Sequence, residues 1–398
     1  MSASASPETN AILGKEATMP STSFAATARP DDPAPALAGL DALITAKLAP
    51  QVTDIDCGTY PREFMQALGA IGGFAGAVDA QYGGLGRGLT HVIGVMSRVS
   101  EECMSTGFLV WCQTTLAWYL QNTANEGLRE RLLPKVARGE VLGGTGLSNT
   151  MKTCASIEDI RLRARRTEGG YIVNGALPWV SNIGADHWFA CGSAVEGESE
   201  LAVLLVHGST PGLTLNQNAH FVALEGTNTF ACLFRDVFVA DTEVLAHPGE
   251  FQAFVGRMKT GFILDQMGMG LGLVRACCTM MHQSNKTLSH VNRFLDDQVE
   301  DIEAQLHAAE QATLALAAEL YRDRTLSRMR EVIELRIAGS ELALKAASAA
   351  MLHMGAKGYL TRSPAQRRLR ESYFVAIVTP ALKHLRKELA AMPAAMAA

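Results

Sequence analysis

A carboxylate in an apolar run is the first place in this chain where one side chain could do chemistry. Asp265 lies within FILDQMGMGLG (262–272). In such surroundings a carboxylate loses hydration, and its pKa rises toward that of a useful general base. The same setting equally suits a buried Asp bonded to neighbouring backbone or to an interface partner. Tyr373 and His384 belong to the last helical stretch, and His384 within LKHLRKEL is expected on a solvated helix face. A second region, YIVNGALPWVSNIGADHWFA (171–190), offers an indole at Trp179 and a hydroxyl at Ser181; GGTGLSNT (143–150) adds Ser148. By residue type alone these read as a Gly-turned hairpin with a packed Trp and turn-capping serines.

The elements that must position these groups change texture twice along the chain. From about 35 to 138 apolar residues recur at spacings of three and four, the helical pattern, interrupted by the Gly cluster QYGGLGRG (81–88). From 143 to about 245 short β-branched and aromatic runs alternate with Gly, Pro and Asn: ELAVLLVHG, GLTLNQ and NTFACLFRDVFVA. After Pro248 long amphipathic stretches return. The expected division is a disordered tail at 1–34, a helical domain at 35–142, a β domain at 143–246, a helical bundle at 247–392 and a short tail at 393–398.

Composition narrows the class. The chain has 398 residues, enough for two or three cores, with 48% hydrophobic and 19% charged residues. A net charge of −5 gives no basic face for nucleic acid. The eight Cys contain no C-x-x-C pair. Together with the lack of a signal-peptide pattern, that points to reduced thiols and a cytoplasmic address. No apolar run approaches the length of a membrane span, and no metal site is expected.

Five segments taken together resemble the acyl-CoA dehydrogenase family. Residues 143–150 and 171–182 resemble its flavin-binding strand pair, with Tyr171, Asn174, Gly175, Trp179, Ser181 and Asn182 at matching places; Pro178 and Val180 depart. LGAIGGFAGAVDAQYGGLG (68–86) resembles its helix-to-loop turn. NTANEGLRERLLPKVARGEVLGGTGLS, ALEGTNTFACLFRDVFVADTEVL and MGAKGYLTRSPAQRRLRES resemble three further runs, in the family's order. The resemblance covers most of the chain beyond the first tail. It implies an α+β fold: an N-terminal helical domain, a central β-barrel domain and a C-terminal four-helix bundle. It also implies FAD, or FMN, held between the β domain and the bundle. Leu147, Ser148, Trp179, Val180, Ser181 and Gly355 are the implied cofactor residues. A homotetramer or homodimer is implied too.

The departures fall at the chemistry. The family removes an α-proton with a Glu while hydride leaves the β-carbon. Counted from Arg370 and Glu371, that position is Thr379, in IVTPA (377–381), and Pro380 follows it. The alternative base position, counted from Gly272, is Phe262, and the neighbouring Arg position is Ile263. Asp265, three residues further, is the substitute candidate. The family's pyrophosphate motif should fall near 286–292, where KTLSHVN keeps only Lys286 and, just beyond, Arg293. Leu352 and Ala356 replace a Gln and a Gly of the family's pattern around Gly355.

Three functions stay open at this stage. One is dehydrogenation of an acyl-CoA or similar small activated acyl compound, with electrons passed to an electron-transfer flavoprotein. The second is a monooxygenase fed by a flavin reductase. The third is a non-catalytic paralogue.

Overall fold

Glycine and proline punctuation sets most of the element boundaries. The structure is a computed structural model describing residues 37–217, 219–323 and 328–393. The tail at 1–34, and all but the first residue of that at 393–398, lie outside the described residues. The chain opens with α1 (Leu40–Leu43), α2 (Val52–Asp56), α3 (Arg62–Ala70), α4 (Leu89–Glu102), α5 (Met104–Asn122) and α6 (Glu126–Ala137). The Gly cluster separates α3 from α4, and Gly88 there has a φ of 79°. A Cβ on Gly88 would stand 2.6 Å from the Tyr321 ring, so only glycine suits the turn. Every residue of α5 is buried, which makes it the central helix of this half.

The middle of the chain is one mixed sheet. Its elements are β1 (Gly143–Thr145), α7 (Ser148–Cys154), β2 (Arg163–Thr167), β3 (Gly170–Val180), β4 (Trp188–Val195), β5 (Leu201–His207), β6 (Leu213–Asn216), β7 (Phe230–Ala240) and β8 (Val244–Ala246). The strand order is β6-β7-β3-β2-β4-β5-β8, with β1 paired to β4. Alternate residues such as Val173, Leu177, Phe189, Cys191, Leu204 and Phe234 fill a core belonging to the sheet alone. The expected barrel is not closed: among the described residues β6 and β8 end the path and do not pair. β6 has four residues and β8 three, too little backbone to complete a closing ladder.

The last part contains α8 (Phe251–Leu264), α9 (Met267–Asn292), α10 (Val299–Arg322), α11 (Met329–Met354), α12 (Pro364–Ile377) and α13 (Leu382–Ala391). Helices α9 to α12 form the expected bundle, flanked by α8 and α13. Helix α4 crosses α9 so closely that a Cβ on Gly272 would lie 2.1 Å from the Ser97 carbonyl oxygen. Arg368 on α12 donates to the carbonyls of Ser100 and Glu102, near the end of α4, and pairs with the buried Glu371. The two helical regions consequently share one continuous core, on which the sheet is mounted.

Candidate functional site

The site lies where the sheet meets the loop after α12. Strand β3 pairs with β7 but slips register between Leu177 and Val180. Pro178, which has no N–H to give the ladder, occupies that bulge. The bulge turns Trp179 outward, leaving it 58% exposed, whereas Leu177 and Val180 point into the sheet's core. Beyond it Asn182 takes a left-handed φ of 58° and is held by the Tyr60 hydroxyl, at 2.6 Å from its Oδ1. Its own amide donates to the Gly143 carbonyl at 2.6 Å. Ser181 is thereby fixed next to Thr145, with which it forms an isolated bridge.

The hydroxyls expected to serve a cofactor are already engaged with one another. Ser148 opens α7, and its Oγ lies 2.7 Å from Oγ1 of Thr379. Ser181 Oγ lies 2.7 Å from Thr229 Oγ1, which lies 2.9 Å from Thr227 Oγ1. Leu147 is fully buried and its N–H points at Thr145 Oγ1, 3.3 Å away. Leu147 and Val180 thus have only backbone to present. Thr379, at the position implied for the base, carries a neutral hydroxyl; its peptide bond to Pro380 is cis.

Asp265 follows α8 directly and is 2% exposed. On α8, Phe254 and Phe262 pack on Tyr119, Phe262 also packs on Trp111, and Met258 accepts from the Trp118 indole. Asp265 lies three residues beyond Phe262, nearly one helical turn. Burial pushes its carboxyl well above the usual range, and Oδ1 has no partner. Trp111 Nε1 and Thr115 Oγ1, both on the α5 stripe that carries Tyr119, are buried without partners as well. A partnerless buried polar atom costs about 1–3 kcal/mol, so this interface retains hydrogen-bonding capacity for a ligand or water.

Two residues not anticipated from sequence brace the loop. Gln266 Nε2 donates to the Thr379 carbonyl at 2.8 Å, and Gln266 Oε1 accepts from Arg336 Nε at 3.0 Å. Arg336, on α11, also donates to Ser340 Oγ and to the Val375 carbonyl in the last turn of α12. It is 1% exposed and makes no ion pair among the described residues; burial pushes its pKa down to about 10, so it stays charged at neutral pH. Helical spacing carried the signal: Val332, Ile333, Arg336, Gly339 and Ala343 share one buried stripe.

One expectation is overturned. His384 is not on a solvated face: it is 3% exposed, with Nε2 2.7 Å from Glu388 Oε1. Glu388 also receives Lys259 of α8 at 2.7 Å, and α13 packs on α11. Tyr373, by contrast, is exposed on α12.

The near end supplies side chains of the kind a flat heteroaromatic ring takes: Trp179, Tyr373 and Ile377 are exposed, and Ser148, Ser181 and Thr379 keep hydrogen-bonding capacity beyond their one partner. The far end matches less. Arg293 there lies over the exposed Phe294 ring, Lys286 is exposed, and Gly355, with a φ of 57°, ends α11 with open space around it. These residue types suit a flavin ring, while the pyrophosphate end has no matching motif.

Comparison with known proteins agrees with this fold. Residues 37–140 match the acyl-CoA dehydrogenase, N-terminal domain family. Benzylmalonyl-CoA dehydrogenase of Aromatoleum aromaticum is 25% identical over 58% of this chain and 62% of its own length, so the match spans less than two thirds of that relative. Among solved structures, a glutaryl-coenzyme A dehydrogenase in complex with glutaryl-CoA superposes with a TM-score of 0.80 at 19% identity, covering 89% of this chain and 93% of that one. Dibenzothiophene monooxygenase from Paenibacillus sp. A11-2 superposes with a TM-score of 0.76 at 18% identity, covering 89% and 95%. Residues 37–140 thus match the acyl-CoA dehydrogenase N-terminal domain, and helices, sheet and bundle in this order give the chain the acyl-CoA dehydrogenase fold.

Proposed function

We propose that the chain is a flavin-dependent oxidoreductase that dehydrogenates an acyl-CoA or similar activated acyl compound, with Asp265 as the relocated base. The observation that carries this reading is the buried Asp265 carboxyl, whose Oδ1 has no partner, one residue before Gln266, which holds the Thr379 loop. A carboxylate with a raised pKa is better matched to a weakly acidic C–H than an ordinary one. Ser148 and Ser181 would hold the polar edge of the flavin ring and Trp179 its apolar face. The cofactor supplies an acceptor for the hydride equivalent that leaves the β-carbon. The aromatic wall of Trp111, Tyr119 and Phe262 excludes water from the acyl chain and keeps the Asp265 proton from solvent. Its relatives among acyl-CoA dehydrogenases support the reading. Anaerobic addition of acyl-CoAs to flavin-loaded protein tests it: bleaching of the flavin that Asp265→Asn abolishes is the expected result, and no bleaching with any acyl-CoA rejects it.

A second reading, a monooxygenase fed by a separate reductase, draws on one observation. Thr379, bonded to Ser148, has a neutral hydroxyl at the position implied for a dehydrogenase's carboxylate, and oxygen chemistry at a reduced flavin needs no α-proton base. Reductase-dependent oxygen consumption without bleaching by acyl-CoA would select it.

The chain's assembly belongs to the same proposal. Val291, Phe294, Leu352, Tyr359 and Leu360 are exposed apolar residues at the adjoining ends of α9 and α11. We infer that a second copy covers them, in a homodimer or homotetramer. Lys286 and Arg293, at the same end, would then stand near the cofactor's phosphates.

A further inference from the structure

The buried cation behind the Thr379 loop has no counter-charge among the described residues. Arg336 spends its guanidinium on three neutral acceptors: Gln266 Oε1, Ser340 Oγ and the Val375 carbonyl. A charge taken out of water and left unneutralised is costly, and an apolar residue of similar volume would ordinarily be tolerated there at least as well. Its position is also specific. Gln266 passes the contact on to the Thr379 carbonyl, and the Thr379 hydroxyl meets Ser148. The guanidinium therefore stands one amide and one residue behind the candidate ring site, on the order of 10 Å away by hydrogen-bond lengths.

We propose that Arg336, acting through Gln266, is a positioning residue that sets the charge preference of the site. It holds Thr379 against Ser148, and its uncompensated positive charge favours the electron-rich, reduced form of a bound flavin over the oxidised form. The inference rests on the flavin reading above. At an effective dielectric of about 20, one unit charge on the order of 10 Å away changes an equilibrium roughly tenfold. A group that merely filled space would leave that ratio unchanged.

Two neutralising variants test this without relying on activity. Gln266→Glu gives Arg336 an isosteric ion-pair partner and removes the amide donor to Thr379; Arg336→Met removes the charge itself. Dissociation constants for oxidised and dithionite-reduced FMN and FAD are measured anaerobically on each folded variant and on the wild type. Both variants are expected to lose at least about tenfold of the preference for reduced flavin, which is about 30 mV for a two-electron couple. Arg336→Lys, which keeps the charge, is expected to stay within roughly threefold of the wild type. Unchanged ratios in the neutral variants that fold overturn the proposal. A wild type that binds neither flavin form overturns the flavin reading instead, and the two failures are distinguishable.

Discussion

Ser148 on the first turn of α7 and Thr379 in the loop after α12 share a hydrogen bond of 2.7 Å across 231 residues of chain. That bond ties α7 to the helical bundle at the proposed flavin site. It also shows what the loop cannot do, because a hydroxyl engaged with another hydroxyl is no base. Thr379→Val is therefore expected to slow acyl-CoA-driven flavin reduction by less than about tenfold, corresponding to one lost neutral hydrogen bond. Asp265→Asn is expected to slow it by at least roughly a hundredfold, the usual contribution of a general base. Stopped-flow reduction traces compare the two directly; equal effects would remove Asp265 from the base role.

Asp265 also makes stability depend on pH. Its folded pKa is raised well above the unfolded value by burial, so between the two the native state holds a proton that the unfolded chain has lost. The unfolded state then binds fewer protons, and stability falls as pH rises from about 4 until the folded pKa is passed, by up to about 1.4 kcal/mol per pH unit. Asp265→Asn has no such proton to lose. Urea titrations at several pH values should show its advantage over wild type growing with pH; a constant gap would mean the carboxyl is not shifted.

Trp179 is held outward by the bulge at Pro178 and contributes little to the sheet's core. Trp179→Ala is expected to weaken flavin binding roughly tenfold, the scale of one aromatic stacking partner, with a midpoint of thermal unfolding close to wild type. Fluorescence titration with FMN and FAD measures the first, calorimetry the second. Unchanged affinity would place the ring elsewhere.

Gly272 has no room for a methyl group beside the Ser97 carbonyl. Gly272→Ala should push α4 away from α9 and cost about 1–3 kcal/mol, visible as a lower urea midpoint. An unchanged midpoint would mean that the helix pair relaxes freely.

Tyr359, 85% exposed, lies in the apolar patch at the ends of α9 and α11. Tyr359→Glu is expected to shift the protein toward smaller species in light-scattering chromatography, because a buried unpaired charge opposes association. A wild type that is monomeric at micromolar concentration would reject the proposed self-association.

Local patterns made the element order legible. The 3.6-residue spacing of helices α9 to α11 and the short β-branched runs of β5 and β7 are visible in the sequence, because burying one face of a helix or strand imposes its period on the chain. The assignment of the implied base position to Thr379 rests on counting along a motif and stays a proposal. Barrel closure was not legible, because it depends on whether β6 and β8 are long enough to meet. The burial of His384, and the chain of contacts from Arg336 through Gln266 to Thr379, were also decided only by the tertiary structure. Residues 266, 336 and 379 come from three separate elements, and sequence periodicity reports which face each is on. It carries no information on which faces meet. The desolvation that raises the pKa of Asp265 and lowers that of Arg336 exists only once those faces have closed on one another.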